Sequence, residues 1–433
     1  MSNAREGAMK LNDELLAIQR GEQGEGMKKV LNTLIMYGEA FDAKRMVKIT
    51  GSMGHAVIGG APVTWAPLVE LFEEWISNGL KSKIPFTTDP RPRDRHIKLS
   101  IPQSLMYTYL YSRQGRLEKA LKALGLNDAD NYTCTPYLEQ VGNMPEKGDI
   151  LSWAESSAVV YVNSVLGARC NRNSGAIELM GNILGYVPEF GLLTDDGRKA
   201  DWIIEVCCKH RPDPQILGSA IGMKVVDKVP YIKGLDQWIG TEINCDSIAF
   251  LKDMGAASAS NGAVGLYHVE GMTPEAKEFG ESIIRSGAPV YVIDDTELAR
   301  IKNGYPCMWE DPAGDPEICF IGCPHLTESQ ILEWADRIDT ALRKNGRTAV
   351  NVYTIFLSSP KVIKAVEKKY PDYIKKLRRM GILLTSICPL SFSSNPMCKT
   401  MNMITCSNKF RYYSRARFYS EAELIKTITR EVA

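Results

Sequence analysis

Apolar and polar positions alternate along this chain in two patterns, which are clearest in the last third. Short apolar runs of strand length are separated by segments in which apolar residues recur every three or four positions. We predict strands at Pro289–Ile293, Ile318–Gly322, Ala349–Phe356, Gly381–Ile387 and Met401–Thr405. We predict helices at Glu328–Lys344, Pro360–Met380 and Ser420–Val432. Strands that alternate with helices indicate an α/β fold with a mostly parallel sheet.

The first hundred residues show the same alternation. Met46–Thr50 is predicted as a strand, and Pro67–Asn78 as a helix with an apolar face. The strand leads into small residues and His55, so that Ser52 and His55 are candidate site residues on a loop. An ordinary surface histidine is the alternative reading.

Thr87 begins a rigid loop that contains three arginines and several prolines and ends at Arg95. Guanidinium groups match carboxylate and phosphate geometry, so this loop could hold an anionic substrate. A solvated basic loop is the alternative.

The stretch Ser152–Arg172 has a helical period but an unusual number of polar residues. Burying unpaired polar groups costs about 1 to 3 kcal/mol each, so a helix that lines a polar cavity is predicted here. An internal polar network is the alternative. The candidate site residues of this stretch are Glu155, Asn163, Arg169, Asn171 and Arg172.

The apolar run that begins at Ile318 stops at Gly322-Cys323-Pro324-His325, and a capping-box-like Thr-Glu-Ser-Gln follows. Cys323 should therefore stand at the carboxyl end of a strand, the edge at which parallel sheets bind ligands. Cys388 and Cys406 follow two other predicted strands. If these strands share one sheet, several thiolates can surround one iron–sulfur cluster. A buried core thiol beside a capping imidazole is the alternative for Cys323.

Composition narrows the class of protein. The 433 residues suggest two or three domains, and 52 basic against 51 acidic residues give no reason to expect nucleic acid or a membrane surface as partner. No apolar run is long enough to cross a bilayer, and a cytoplasmic location is predicted. The expected regions are an expression scar at 1–8, an N-terminal α/β region at 9–150, a middle α/β region at 151–285 and a C-terminal parallel domain at 286–433.

Eleven cysteines in a large chain predict reduced thiols, and no Cys-x-x-Cys pair supports a zinc ribbon. Glycine clusters, including Gly218–Gly222, are interpreted as turns between elements. None of them fits a Walker A loop or a dinucleotide-binding motif. Small molecules are therefore the expected ligands.

Several longer motifs together resemble the large subunit of the aconitase X family, from about Met9 to the end. They are Gly322-Cys323-Pro324-His325, Trp153-Ala154-Glu155-Ser156-Ser157-Ala158, Asn163-Ser164-Val165-Leu166-Gly167-Ala168-Arg169, Gly271-Met272-Thr273-Pro274-Glu275-Ala276 and Gly21-Glu22-Gln23-Gly24. The resemblance implies an aconitase-like fold around a central cleft. It also implies a small swivel-domain subunit as a separate partner, in a heterodimer whose catalytic serine lies on that subunit.

The resemblance implies an iron–sulfur cluster held by Cys134, Cys323 and Cys388, with one iron open to a substrate hydroxyl. It implies a hydro-lyase that dehydrates a small hydroxy acid, with cis-3-hydroxy-L-proline as first choice and phosphorylated mevalonate as second. His55, Glu155 and Lys409 are then expected as catalytic residues. The residues expected to bind substrate are Ser52, Thr87, Asn163, Arg169, Asn171, Arg172, His325 and Ser407.

Two points stay open at the level of sequence. Cys406 stands beside the motif that holds Lys409 and is either a neighbour of the cluster or an inert core residue, the reading we favour. His325 could orient the turn or touch substrate. A ligand-binding or regulatory module that keeps the fold without catalysis is the alternative function.

Overall fold

The computed structural model describes residues 9–58 and 65–430. The expected scar at 1–8 lies outside the described residues. Within these ranges the strands are β1 (Met46–Lys48), β2 (Gly54–Ala56), β3 (Phe86–Thr88), β4 (Tyr186–Pro188), β5 (Trp202–Val206), β6 (Pro230–Lys233), β7 (His268–Val269), β8 (Val290–Ile293), β9 (Ile318–Leu326), β10 (Tyr353–Ser358), β11 (Ile382–Thr385), β12 (Met403–Thr405) and β13 (Arg417–Phe418).

The α-helices lie between and around these strands. They are α1 (Asp13–Gln19), α2 (Glu25–Ala40), α3 (Trp65–Ser77), α4 (Ile101–Leu110), α5 (Gln114–Leu124), α6 (Ser156–Tyr161), α7 (Gly175–Leu184), α8 (Pro214–Val225), α9 (Asp236–Ile239), α10 (Cys245–Asn261), α11 (Pro274–Phe279), α12 (Asp295–Asn303), α13 (Glu328–Lys344), α14 (Pro360–Lys369), α15 (Pro371–Arg379), α16 (Pro389–Ser393), α17 (Asn408–Tyr413) and α18 (Glu421–Thr429). In the described ranges no helix is both long and apolar enough to span a bilayer.

The largest sheet has the order β11-β10-β9-β12-β13, and every pairing in it is parallel. All nine residues of β9 are buried, because β10 and β12 flank this strand and its two faces pack against separate parts of the core. A strand buried on both faces reads in sequence as a continuous apolar run, which is how it was predicted. The prediction of an α/β fold with mostly parallel sheets is confirmed.

A second parallel sheet has the order β7-β6-β5-β8. The predicted strand at 289–293 pairs here with β5 instead of joining the C-terminal sheet. Helices α8 and α10 pack closely against each other and share a hydrophobic core with β5 and β6. A Cβ added at Gly218 would stand 2.2 Å from the Met254 carbonyl oxygen, so the glycines of α8 allow this close approach. The interpretation of Gly218–Gly222 as a turn was therefore wrong.

Two predicted elements differ from the structure for local reasons. Strand β9 continues through the expected turn to Leu326, with a register shift against β10 after Phe356. The predicted helix Pro360–Met380 is two helices, because Pro371 begins a new helix and Tyr370 before it, with φ −132° and ψ 56°, is not helical.

The predicted polar helix at 152–172 is shorter than expected. It consists of α6 and one π-helical turn at Val162–Leu166, between Glu155, which caps its start with φ 77°, and Gly167, which ends it with φ 74°. The residues before Glu155 and after Gly167 lie outside the helix, so their side chains need not share its face. The division of the chain into three regions stays a prediction.

Candidate active site

One cavity of about 450 Å³ brings together cysteines from three distant segments of the chain. Cys134 lies in the loop between α5 and α6, Cys323 lies in β9, and Cys388 caps the start of α16. Glu155, His325 and Lys409 also line the cavity. Six of the residues predicted for the site therefore meet around one space.

Backbone geometry presents these cysteines to the cavity. Gly322, just before Cys323, has φ 111°, and a Cβ there would stand 2.4 Å from the Leu357 carbonyl oxygen. A side chain is excluded at this position on both counts. The Ser407 hydroxyl donates a hydrogen bond to the Cys323 carbonyl oxygen and so ties the start of α17 to the same bend.

Burial raises the pKa of each of the three thiols, that of Cys323 to about 12. The neighbouring cation Lys409 acts in the opposite direction on all three. Backbone N–H groups of Leu390 and Ser391 also face Cys388 and favour its thiolate. A metal centre bound here would supply the positive charge that deprotonates such thiols.

Three cysteine thiols around one space are a donor set that an iron–sulfur cluster can use. Within the described residues no three His, Cys, Asp or Glu side chains stand close enough together to hold one metal ion. A cluster brings several irons and takes one thiolate at each of them, so its ligands surround a larger volume. Three cysteines line the wall, with no fourth among the described residues that line this cavity, so a four-iron cluster held here would keep one iron without a protein sulfur.

Glu155 and Lys409 form a buried ion pair on the cavity wall. Although burial disfavours both charges, each partner stabilises the other. Lys409 holds the pKa of Glu155 down at about 2, and Glu155 raises the pKa of Lys409. Ser157 fixes the pair, because its hydroxyl and backbone N–H donate to Glu155 at 2.8 and 3.1 Å.

His55 is fully buried in β2, beside the cavity and outside its lining. Its Nδ1 lies 2.8 Å from the Thr87 hydroxyl, and its Nε2 has no hydrogen-bond partner in the structure. Burial lowers the pKa of His55 to about 4, so the ring is neutral near pH 7. Thr87 therefore orients His55 instead of facing the cavity.

Asn163 and Arg169 do not reach the cavity. The Asn163 amide is used by the backbone of Cys170 and Gly265 and by Arg198. Arg169 pairs with Asp195 at 2.5 Å. The internal polar network that was the alternative for this stretch accounts for Asn163, whereas Arg169 pairs with the exposed Asp195 at the surface.

Ser52, Asn171 and Arg172 also lie outside the lining of the cysteine cavity. Ser52 is exposed, and the Asn171 side chain is bonded to the backbone at Phe190 and Leu192. Arg172 is exposed but close enough to Glu155 to interact with it electrostatically. Among the described residues Arg172 has no hydrogen-bond or ion-pair partner.

Cys406 and Ser407 have different surroundings despite being neighbours. Cys406 packs against the main hydrophobic core and does not line the cavity, in keeping with the reading of an inert core thiol. Ser407 caps α17, where its hydroxyl accepts the Phe410 N–H at 3.1 Å. Its role is to hold the backbone that carries Lys409.

Sequence reasoning missed several residues of the cavity wall. They include Asp89, Ser391, Ser394 and Tyr413. Asp89 was visible only as part of the Thr87 loop, and its carboxylate accepts the Ile58 N–H at 3.0 Å. Ser391 lies on α16 and Ser394 caps its end, so their position a few residues after Cys388 was the one signal that the sequence offered.

Comparisons with known proteins agree with this geometry. The sequence pattern of the aconitase X first domain matches residues 8–196, and that of the aconitase X second domain matches residues 200–303. A phosphomevalonate dehydratase large subunit from Methanothermobacter thermautotrophicus is 33% identical over 75% of each chain. A cis-3-hydroxy-L-proline dehydratase from Pseudomonas aeruginosa is 25% identical over 92% of this chain and 65% of that protein. The crystal structure of Thermococcus kodakaraensis aconitase X in its holo-form superposes with a TM-score of 0.79 at 26% identity, covering 97% of this chain and 100% of that one.

Proposed function

The chain belongs to the aconitase X family, and we propose that it is the large subunit of an iron–sulfur-dependent dehydratase that acts on phosphomevalonate or a similar phosphorylated hydroxy acid. The observation that carries this proposal is the meeting of Cys134, Cys323 and Cys388 with the ion pair of Glu155 and Lys409 around one cavity. A small partner subunit completes the site, because the relatives of higher identity are themselves named as large subunits.

The three cysteines would hold the cluster, which when bound supplies a Lewis acid for the departing hydroxyl. The residues of this chain then bind and orient the substrate. Lys409 is a buried cation, so it can attract a carboxylate or phosphate, and Glu155 keeps it in place. Such a preorganised charge is worth more in a water-poor cavity than in solution.

Glu155 and Lys409 are poorly suited to exchange protons near neutral pH, since their pKa values are displaced far to either side. His55 differs from them, because its ring is neutral and its Nε2 is unbonded in the structure. Because burial lowers its pKa to about 4, His55 can accept a hydrogen bond beside the cavity but is a weak proton acceptor near pH 7.

The choice of substrate rests on similarity to the named relatives. Phosphomevalonate dehydratase subunits are related to this chain at 29 to 33% identity, whereas the hydroxyproline dehydratases are at 25%. This ranking reverses our sequence-based order, in which cis-3-hydroxy-L-proline came first.

The proposal is tested by co-expressing the chain with its small subunit and reconstituting it without oxygen. We expect iron, acid-labile sulfide, and conversion of phosphomevalonate to a product lighter by one water, followed by mass spectrometry. Cys323→Ser should lose the cluster and the activity, whereas Cys406→Ser should keep both because Cys406 lies outside the cavity. Wild-type protein that binds substrate but holds neither iron nor sulfide would instead support a non-catalytic binding module.

A further inference from the structure

The side chain of His325 connects the segments that carry the other two cysteines. Its Nδ1 lies 3.1 Å from the hydroxyl of Thr133, the residue before Cys134. Its Nε2 lies 3.4 Å from the carbonyl oxygen of Ile387, the residue before Cys388. His325 itself follows Cys323 by two positions, so one imidazole spans all three cysteine segments.

The backbone of the same residue adds a third link. The His325 N–H donates to the Cys134 sulfur at 3.3 Å. Cys134 and Cys323 lie 189 positions apart in sequence, and this hydrogen bond sets the position of one relative to the strand that bears the other.

The bonding pattern determines how the ring is used. A carbonyl oxygen can only accept, so Nε2 carries the hydrogen that points at Ile387. Nδ1 then accepts from the Thr133 hydroxyl, whose oxygen in turn accepts the Thr135 N–H at 3.0 Å. Both ring nitrogens are occupied by protein groups, and only 1% of the residue is exposed. The imidazole has no free nitrogen with which to bind a substrate.

We propose that His325 is a positioning residue that fixes the spacing of the three cysteines and thereby determines how firmly the cluster is held. The inference rests on the proposed function, since it presumes that these cysteines are cluster ligands. Partners that orient metal ligands without touching the metal typically change metal affinity or activity by about 10- to 100-fold when they are removed. An effect of this size on cluster retention is expected from loss of the ring bonds.

The test compares His325→Phe and His325→Gln with the wild-type complex, all reconstituted without oxygen. The measurements are iron and sulfide per chain, the electron paramagnetic resonance spectrum, and the rate of bleaching in a chelator. We expect His325→Phe to lose its cluster about 10- to 100-fold faster. His325→Gln should recover part of the difference, because an amide can also donate to Ile387 and accept from Thr133.

A matched control is His268→Phe, which removes another buried imidazole bonded to a backbone carbonyl, that of Arg198, away from the cysteines. It should lower the melting temperature without changing the cluster spectrum. If His325→Phe does not fold, Thr133→Val removes the hydroxyl that bonds Nδ1, together with its bonds to Thr135, and should also speed bleaching.

The outcomes separate this inference from the proposed function. A cluster in the wild type that bleaches at an unchanged rate in the His325 and Thr133 variants would overturn the positioning role and leave the dehydratase intact. A wild-type complex without iron and sulfide would overturn both.

Discussion

The ammonium group of Lys409 and the carboxylate of Glu155, 254 positions apart in the chain, form a buried ion pair on the wall that also carries the three cysteines. Both side chains are mostly hidden from solvent, with 7% and 15% exposed. Breaking a buried pair leaves one charge without compensation, which costs more than the pair contributes. This asymmetry makes the pair a sensitive site for mutation.

Lys409→Met is expected to destabilise the chain by about 3 to 5 kcal/mol, because it leaves the Glu155 carboxylate buried and unpaired. It should also abolish dehydration, since a cation is lost from the cavity. Urea unfolding and the kcat/KM of the complex measure the two effects. The double variant Glu155→Gln/Lys409→Met should recover much of the stability but none of the activity.

The control for this prediction is Lys302→Met, which removes a more exposed ion pair with Glu423. Surface pairs contribute about 1 kcal/mol or less, so this variant should stay close to the wild type. Equal destabilisation by the two lysine variants would contradict the importance given to the buried pair.

His55 should make the metal-free chain less stable at mildly acidic pH. Burial lowers its pKa from 6.5 to about 4, so the unfolded state binds a proton before the folded state does. The stabilisation is complete above pH 6.5 and is lost as pH falls through 4. The loss amounts to about 3 kcal/mol in the free energy of unfolding. Urea unfolding between pH 7 and 4 should show a shallower decline for His55→Leu, whereas His210→Asn at the surface should follow the wild type.

The pH dependence of stability that we expect from Glu178 is the opposite of that from His55. Burial raises its pKa from 4.5 to about 8, so its contribution is complete below pH 4.5 and is lost as pH rises through 8. Glu178→Gln resembles the protonated acid and can keep accepting from the Ser152 hydroxyl. It should therefore gain stability relative to wild type at pH 8, by about 5 kcal/mol at most, and little at pH 4.5.

The matched variant is Glu70→Gln, whose carboxylate is exposed and paired with Arg113 at the surface. It should show no comparable gain in melting temperature at pH 8. A melting temperature of Glu178→Gln that follows the wild type at both pH values would mean that the buried carboxyl is not neutral.

The sequence predicted the cysteine site because its signals are local. Cys323 ends a continuous apolar run, and a strand buried on both faces has that pattern. Parallel strands bring their carboxyl ends to one edge, so Cys388 could be expected nearby. Cys134 does not follow a predicted strand, and it was assigned through the family motif alone.

The polar residues of the middle region could not be placed in the same way. Asn163 and Arg198 are hydrogen-bonded to each other, and Arg198 forms a bidentate ion pair with Glu275. A sequence shows that polar residues fall on a buried face, but not whether a distant partner will satisfy them. Asn163 was therefore predicted to face a cavity when it belongs to an internal network.

Gly322 should be the most restrictive backbone position of the site. Its φ of 111° and the Leu357 carbonyl oxygen, 2.4 Å from an added Cβ, both oppose a side chain. Gly346 has φ 67° with nothing within 4 Å of an added Cβ, so Gly346→Ala should cost about 1 to 2 kcal/mol from backbone conformation alone. Gly322→Ala should cost clearly more in urea unfolding and should reduce the iron bound per chain, because β9 and β10 must move apart to relieve the clash and Cys323 lies on β9. Equal costs for the two variants, with iron content unchanged, would show that β9 can shift without disturbing the cysteine.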